Sequence, residues 1–176
     1  MAAQSINITA VGDQVSQPIL WRMARLFHVV PSILKARVTN ETAFMTVAIE
    51  GSTSQFAAAR AYLASLGLVP VGEVDLSLPS GLGQRPEESI SSAYTLHVRL
   101  DVVQAQYLSA PILYRLGRDF DVVCSVIGGD LDDTGGWIEV ALTGRLGEVQ
   151  RAIAFLHTTG IHVDPRERSV TDFSNL

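Results

Sequence analysis

The chain has 176 residues, of which 47% are hydrophobic and 18% charged. That length suits one medium domain or two small ones of about 80 residues each, and the composition excludes a disordered linker. A net charge of −5 disfavours a nucleic-acid or anionic-membrane surface, and no apolar run approaches the ~18 residues of a spanning helix.

Ser5–Val11 alternates Ile6, Ile8 and Ala10 with Ser5, Asn7 and Thr9, the pattern of a half-buried strand. A helix follows, with Ser16 at the N-cap place and Pro18 in the first turn. Ile19, Leu20, Met23 and Phe27 share one of its faces. Val29–Val38 and Ala43–Glu50 read as strands joined by the turn-rich Thr39-Asn40-Glu41. A second helix begins after Gly51, buries Phe56, Ala59 and Leu63, and stops at Gly67, where a C-cap glycine belongs. A short strand is expected at Leu68–Val74, and Ser77–Ser91, rich in Gly, Pro, Ser and charge, reads as a linker.

From Tyr94 the order starts again. Tyr94–Leu100 alternates like the first strand, and a helix is expected with Ser109 at the N-cap place and Pro111 in the first turn, its Ile112, Leu113, Leu116 and Phe120 sharing one face. Val122–Leu131 and Trp137–Thr143 read as strands around Asp132–Gly136. A helix after Gly144 buries Val149, Ala152 and Leu156, and ends at Gly160. Ile161–Asp164 closes the unit, and the segment from Pro165 reads as a polar, mobile tail. Shifted by 93 positions, residues 17–71 fall on 110–164 without a gap and with 16 identities in 55 positions.

The order β-α-β-β-α-β, twice, is the split-βαβ plan of a ferredoxin-like α+β fold. Each unit is expected to be a four-stranded antiparallel sheet with two helices on one face. The expected divisions are a first unit over 1–76, a linker over 77–91, a second unit over 92–164 and a tail over 165–176. The helix-free faces would show Phe44, Thr46 and Ala48 in one unit and Trp137, Glu139 and Ala141 in the other. Phe44 and Trp137 are therefore interface candidates, for contact between the units or for something lying over both.

Reactive chemistry is thin. His28, His97, His157 and His162 fall at unmatched positions of the repeat and lack metal-ligand spacing, so no metal is expected. The single Cys124 allows no intrachain disulfide and has no base beside it in sequence, which fits a small buried thiol in a reducing compartment. Asp130, Asp132 and Asp133 lack the later bidentate glutamate of a calcium loop, and Gly81-Leu82-Gly83 lacks the Lys-Ser/Thr pair of a phosphate loop. Arg22 with Arg25, and Arg115 with Arg118, lie one turn apart and could hold a carboxylate, but read first as solvated helix faces. No nucleophile, base and acid converge, so neither an enzyme nor a bound cofactor is expected. The N-terminus carries no secretory leader, and a cytoplasmic address is expected.

The repeated motifs resemble the NIL domain. In the first unit these are Gln17-Pro18-Ile19-Leu20, Ala24-Arg25-Leu26-Phe27, Ser32-Ile33-Leu34, Val47–Gly51, Ala61-Tyr62-Leu63, Gly67 and Val69. In the second they are Ala110-Pro111-Ile112-Leu113, Arg118-Asp119-Phe120, Ser125-Val126-Ile127, Gly136, Gly144 and Ala154-Phe155-Leu156. The resemblance implies a ferredoxin-like, ACT-like fold. It also implies a regulatory role like that of the C-terminal part of methionine-import ABC transporter ATPases, where two such domains pair and methionine bound near their interface slows transport. By that resemblance the ligand-binding candidates are Ser32, Ile33 and Leu34 with Ser125, Val126 and Ile127. The family's name-giving asparagine is Ser32 in one unit and Ser125 in the other, the hairpin after the second strand is shorter, and no G-x-x-x-x-G-K-[ST] occurs.

Two functions compete at this level. One is a sensor that binds a small molecule, an amino acid such as methionine, at the contact of an intrachain pseudo-dimer, with pairing of two chains as a further option. The other is a protein–protein adaptor without a metabolite. It is motivated by the placement of the whole net charge of −5 in residues 77–176. Nucleic acid and membrane insertion are not expected partners of either.

Overall fold

In a computed structural model, residues 2–69, 90, 94–102 and 111–169 are described. The first unit contains strand β1 (Ala2–Val11), a 3-10 turn (Gly12–Gln14), helix α1 (Ile19–Phe27), strands β2 (Val30–Val38) and β3 (Thr42–Gly51), and helix α2 (Thr53–Ser65). The second contains β4 (Tyr94–Val102), α3 (Ile112–Asp119), β5 (Val122–Asp132), β6 (Gly135–Gly144), α4 (Leu146–His157) and β7 (His162–Ser169). The mixed α+β plan and its duplication are as the alternation and the helical period predict. The expected linker over 77–91, Ile90 apart, and the end of the tail over 170–176 lie outside the described residues.

The units do not form two separate sheets. Their strands make one antiparallel sheet of seven in the order β1-β3-β2-β5-β6-β4-β7. The junction is a short ladder, Ala36↔Leu131, Arg37↔Asp130 and Val38↔Gly129, between the second strands of the two units. Each of those strands would otherwise be an open edge, and pairing them satisfies backbone groups that invite aggregation. A β2–β5 pairing of equivalent strands is a pseudo-two-fold contact.

Alternation sets the two faces. Ile6, Ile8, Val47 and Ile49 in the first unit, and Val98, Leu100, Val140 and Leu142 in the second, are buried under the helices. Burying each such side chain contributes about 1.5–3 kcal/mol. Helix α1 packs on β5 as well as on β2, and α3 packs on β2 as well as on β5. Each first helix therefore roofs part of the other unit, so the core is continuous across the junction.

Local chemistry explains the helix ends. Ser52 accepts from the Gln55 N–H at 3.2 Å while the Gln55 side chain accepts from the Ser52 N–H at 2.8 Å, a complete capping box for α2. After α2, Gly67 takes a φ of 73°, and Gly160 a φ of 81° after α4, the left-handed turn that glycine enters without a Cβ clash. α1 and α3 start two residues later than expected: Pro18 and Pro111 themselves occupy the cap position with no side-chain cap. Ser16 instead donates to the Asp13 carbonyl at 3.4 Å. Ser109 lies outside the described residues.

Two boundaries differ from the sequence reading. β7 continues through Pro165 to Ser169, because β4 offers it a ladder with a register shift between Leu96 and Val98, and Pro165 falls beside that shift. Of the strand expected at Leu68–Val74, only Leu68 and Val69 are described. They are not in a strand, although the Leu68 carbonyl accepts from the Thr9 N–H at 2.9 Å.

Candidate functional site

Where the two units meet under the helices, the structure leaves a cavity of about 300 Å³. Its floor is the first unit's sheet, through Ile8, Ala10, Ala43 and Met45, and its roof is α1, through Leu20, Trp21, Ala24 and Arg25. The second unit supplies the facing wall: Cys124 and Val126 from β5, and Leu113, Tyr114, Gly117 and Arg118 from α3. A mostly apolar concavity of this size, with a few polar groups at one side, is the usual form of a small-molecule site.

The closure is a contact between α1 and α3. An added Cβ on Gly117 would lie 2.6 Å from Trp21 Cδ1 and 2.8 Å from Nε1, so any larger residue must displace the indole or the helix. Arg25 stacks over the Trp21 ring at 4.7 Å and donates from Nη2 to the Gly117 carbonyl at 3.1 Å. Trp21 is 3% exposed, and its Nε1 is the one buried side-chain nitrogen or oxygen without a hydrogen-bond partner among the described residues. Leaving such a donor unmet costs about 1–3 kcal/mol. His28, at the end of α1 and on the cavity wall, has a φ of 56°, a conformation non-glycine residues adopt sparingly and often at functional sites.

Charge around the cavity is one-sided. Among the described residues Arg25 and Arg118 line it, and no Asp or Glu does. Arg118 is engaged by its neighbour Asp119 at 2.7 Å and 3.1 Å, which raises its pKa and holds the Asp119 carboxyl below the usual carboxylate range. The Arg25 hydrogen bond is to a neutral carbonyl. Burial pushes the Cys124 thiol up to about 12, so it stays a neutral thiol in the wall.

The candidate triplets are divided by strand geometry. In β2 the register jumps from Ile33 to Lys35, and in β5 from Val126 to Gly128, so Leu34 and Ile127 are the extra residues of two β-bulges at matched positions of the repeat. Val126 lines the large cavity, Ser32 and Ile33 line a second cavity of about 40 Å³, and Leu34 lines neither. Ser125 and Ile127 lie instead in an outer groove with His97, Glu139, Ala141 and Thr143 from the second sheet and Asp13, Asn40 and Glu41 from the first unit's loops. Phe44, on the helix-free face, is 53% exposed, and Trp137 is half-buried beneath the Arg99 guanidinium at 4.5 Å. Within the chain the units meet edge to edge and helix to helix. Sequence reasoning missed Trp21, Gly117 and Arg25 as a set, because Gly117 at the place of Ala24 in the repeat is a signal only once α1 and α3 are known to touch.

The profile of the NIL domain matches residues 4–71 and again 97–165, more than three quarters of the chain. The chain belongs to the NIL domain family and carries two such domains in tandem. No curated protein matches. Among solved structures, a candidate glycine cleavage system transcriptional repressor aligns over 94% of this chain and 98% of its own, at 15% identity and a TM-score of 0.34. An aspartate kinase from Synechocystis aligns over 92% of this chain at 13% identity and a TM-score of 0.34, and the alignment spans 28% of that enzyme. The N-terminal soluble domains of Bacillus subtilis CopA align over 96% of this chain and 99% of their own, at 14% identity and a TM-score of 0.30. These are loose likenesses, and the family assignment does not rest on them.

Proposed function

We propose that the chain is a non-catalytic, cytoplasmic regulatory module that binds a small metabolite, an amino acid such as methionine, at the contact between its two NIL domains. The observation that carries this reading is the cavity of about 300 Å³ walled by both units. A ligand held there touches α1, α3 and β5 together, so occupancy favours one seating of the units over others and can be read by a partner. In this reading the β2 and β5 segments Ser32-Ile33-Leu34 and Ser125-Val126-Ile127 shape the inter-unit contact, with Val126 against the ligand. No helix among the described residues is long and apolar enough to cross a membrane.

The test is a thermal-shift screen against the twenty amino acids and common metabolites at millimolar concentration. A ligand at ~100 times its dissociation constant adds about 2.7 kcal/mol, or roughly 5–10 °C for a chain of this size. A flat screen refutes the sensor. The adaptor reading has its own support in the outer groove, where Asp13, Glu41 and Glu139 present negative charge to a basic partner. Its Phe44 and Trp137 faces would be the contact surfaces, and capture indifferent to reversing Asp13, Glu41 and Glu139 together with Asp130, Asp132 and Asp133 would refute it.

A further inference from the structure

The large and the small apolar cavity are the same place in two copies. Ile8 pairs with Met45 and Ala10 with Ala43 in the first unit, while Leu100 pairs with Ile138 and Val102 with Gly136 in the second. Shifting Met45 and Ala43 by the repeat of 93 gives Ile138 and Gly136, so Ile8 matches Leu100 and Ala10 matches Val102. The wall supplied from across the junction matches too: Val126 closes the large cavity where Ile33 closes the small one. One cavity measures about 300 Å³ and the other about 40 Å³. At two matched positions, Ala10 against Val102 and Val126 against Ile33, the larger side chain stands in the small cavity, where added carbons occupy the space a ligand would need.

We propose that this tandem chain is a one-site device: the cavity on the first unit's sheet takes one apolar ligand with an anionic head, and the matching cavity on the second unit's sheet is filled by Val102 and, from across the junction, Ile33. The inference rests on the sensor reading and adds to it the stoichiometry, the site and the ligand class. Ile8, Leu20 and Met45 offer the apolar body dry contact. Arg25, hydrogen-bonded to a neutral carbonyl, faces the same space with no lining carboxylate to compete, and binds the anion. Arg118, at the place of Arg25 in the repeat, lines the same large cavity but is held by Asp119, where the first unit has Leu26, and among the described residues no arginine lines the small cavity. Duplication has left one unit to bind and the other to complete its wall.

The experiment is a methyl-resolved NMR titration of the full chain with 4-phenylbutyrate. The expected result is saturable shifts of the Met45 and Ile8 methyl signals while those of Ile138 and Ile161 stay in place. Ala10→Val with Val126→Ile, which copies into the large cavity the residues that fill the small one, is expected to weaken the probe at least tenfold. Arg25→Met keeps an unbranched apolar stem over Trp21 but loses the guanidinium and its bond to the Gly117 carbonyl, and is expected to weaken 4-phenylbutyrate about tenfold more than the uncharged 4-phenylbutanol. Equal titration of Met45 and Ile138 would overturn the single site. Undiminished binding in the filled variant would overturn its location, and equal effects of Arg25→Met on acid and alcohol would overturn the anionic head. Absence of any methyl shift refutes the ligand class, whereas the sensor reading stands or falls separately on the amino-acid screen.

Discussion

Replacing Gly117 by alanine isolates the contact that closes the inter-unit cavity. In an open helix the change stabilises by up to about 1 kcal/mol, because glycine loses more backbone freedom on folding. Here the new Cβ would stand 2.6 Å and 2.8 Å from two atoms of the Trp21 indole, a ring that is 3% exposed and has no free end to swing away. Overpacking of that kind costs about 1–3 kcal/mol. Moving α3 away would also weaken the hydrogen bond from Arg25 to the Gly117 carbonyl, about 0.5–1.5 kcal/mol more. The net expectation is a loss of about 1–2 kcal/mol, or roughly 3–6 °C in Tm. At Gly147, in the first turn of α4, an added Cβ would meet nothing within 4 Å, so Gly147→Ala is the matched control and should raise Tm. Calorimetry of both variants tests the sign. If Gly117→Ala also raises Tm, the close seating of α3 on Trp21 is wrong. Trp21→Phe in the Gly117→Ala background should recover part of the loss, and additivity of the two changes would count against a direct contact.

Local chemistry gives two further outcomes. Ser52→Ala removes one half of the capping box on α2 and should cost about 1 kcal/mol by chemical denaturation, with Ser52→Gly costing less. Glu148 accepts from the Asp121 N–H at 2.9 Å and from Arg151 at 2.6 Å, and these contacts, the backbone bond first, hold its carboxyl below the usual carboxylate range. A lowered folded-state pKa contributes stability above the unfolded value of about 4.3, and that contribution is lost as pH falls through the folded value. Glu148→Gln should therefore lower stability at neutral pH and flatten the acid-side decline of Tm, and a decline as steep as the parent's would contradict the assignment.

The elements and their repetition are written in the order of residues alone. Alternation of Ile6, Ile8 and Ala10, the apolar stripe of Ile19, Leu20, Met23 and Phe27, and the glycines at 67 and 160 are local signals whose meaning does not depend on distant residues. Their recurrence at 93 positions made the tandem fold legible, and the NIL family with it. The triplets Ser32-Ile33-Leu34 and Ser125-Val126-Ile127 were visible as motifs, but their division between cavity, bulge and outer groove was not. A strand's pattern says which residues share a face and leaves open where the ladder skips a residue or what the face meets.

The rest came from how distant surfaces meet. The joining of β2 to β5 depends on two edges finding each other across more than 90 residues, which no short-range pattern encodes. The unequal cavities depend on a few carbons at Ala10 and Val126 against Val102 and Ile33, all of them ordinary apolar residues for a strand. The fit of Trp21 against Gly117 exists only once α1 and α3 cross, because close packing is a property of pairs of surfaces and a sequence lists them one at a time.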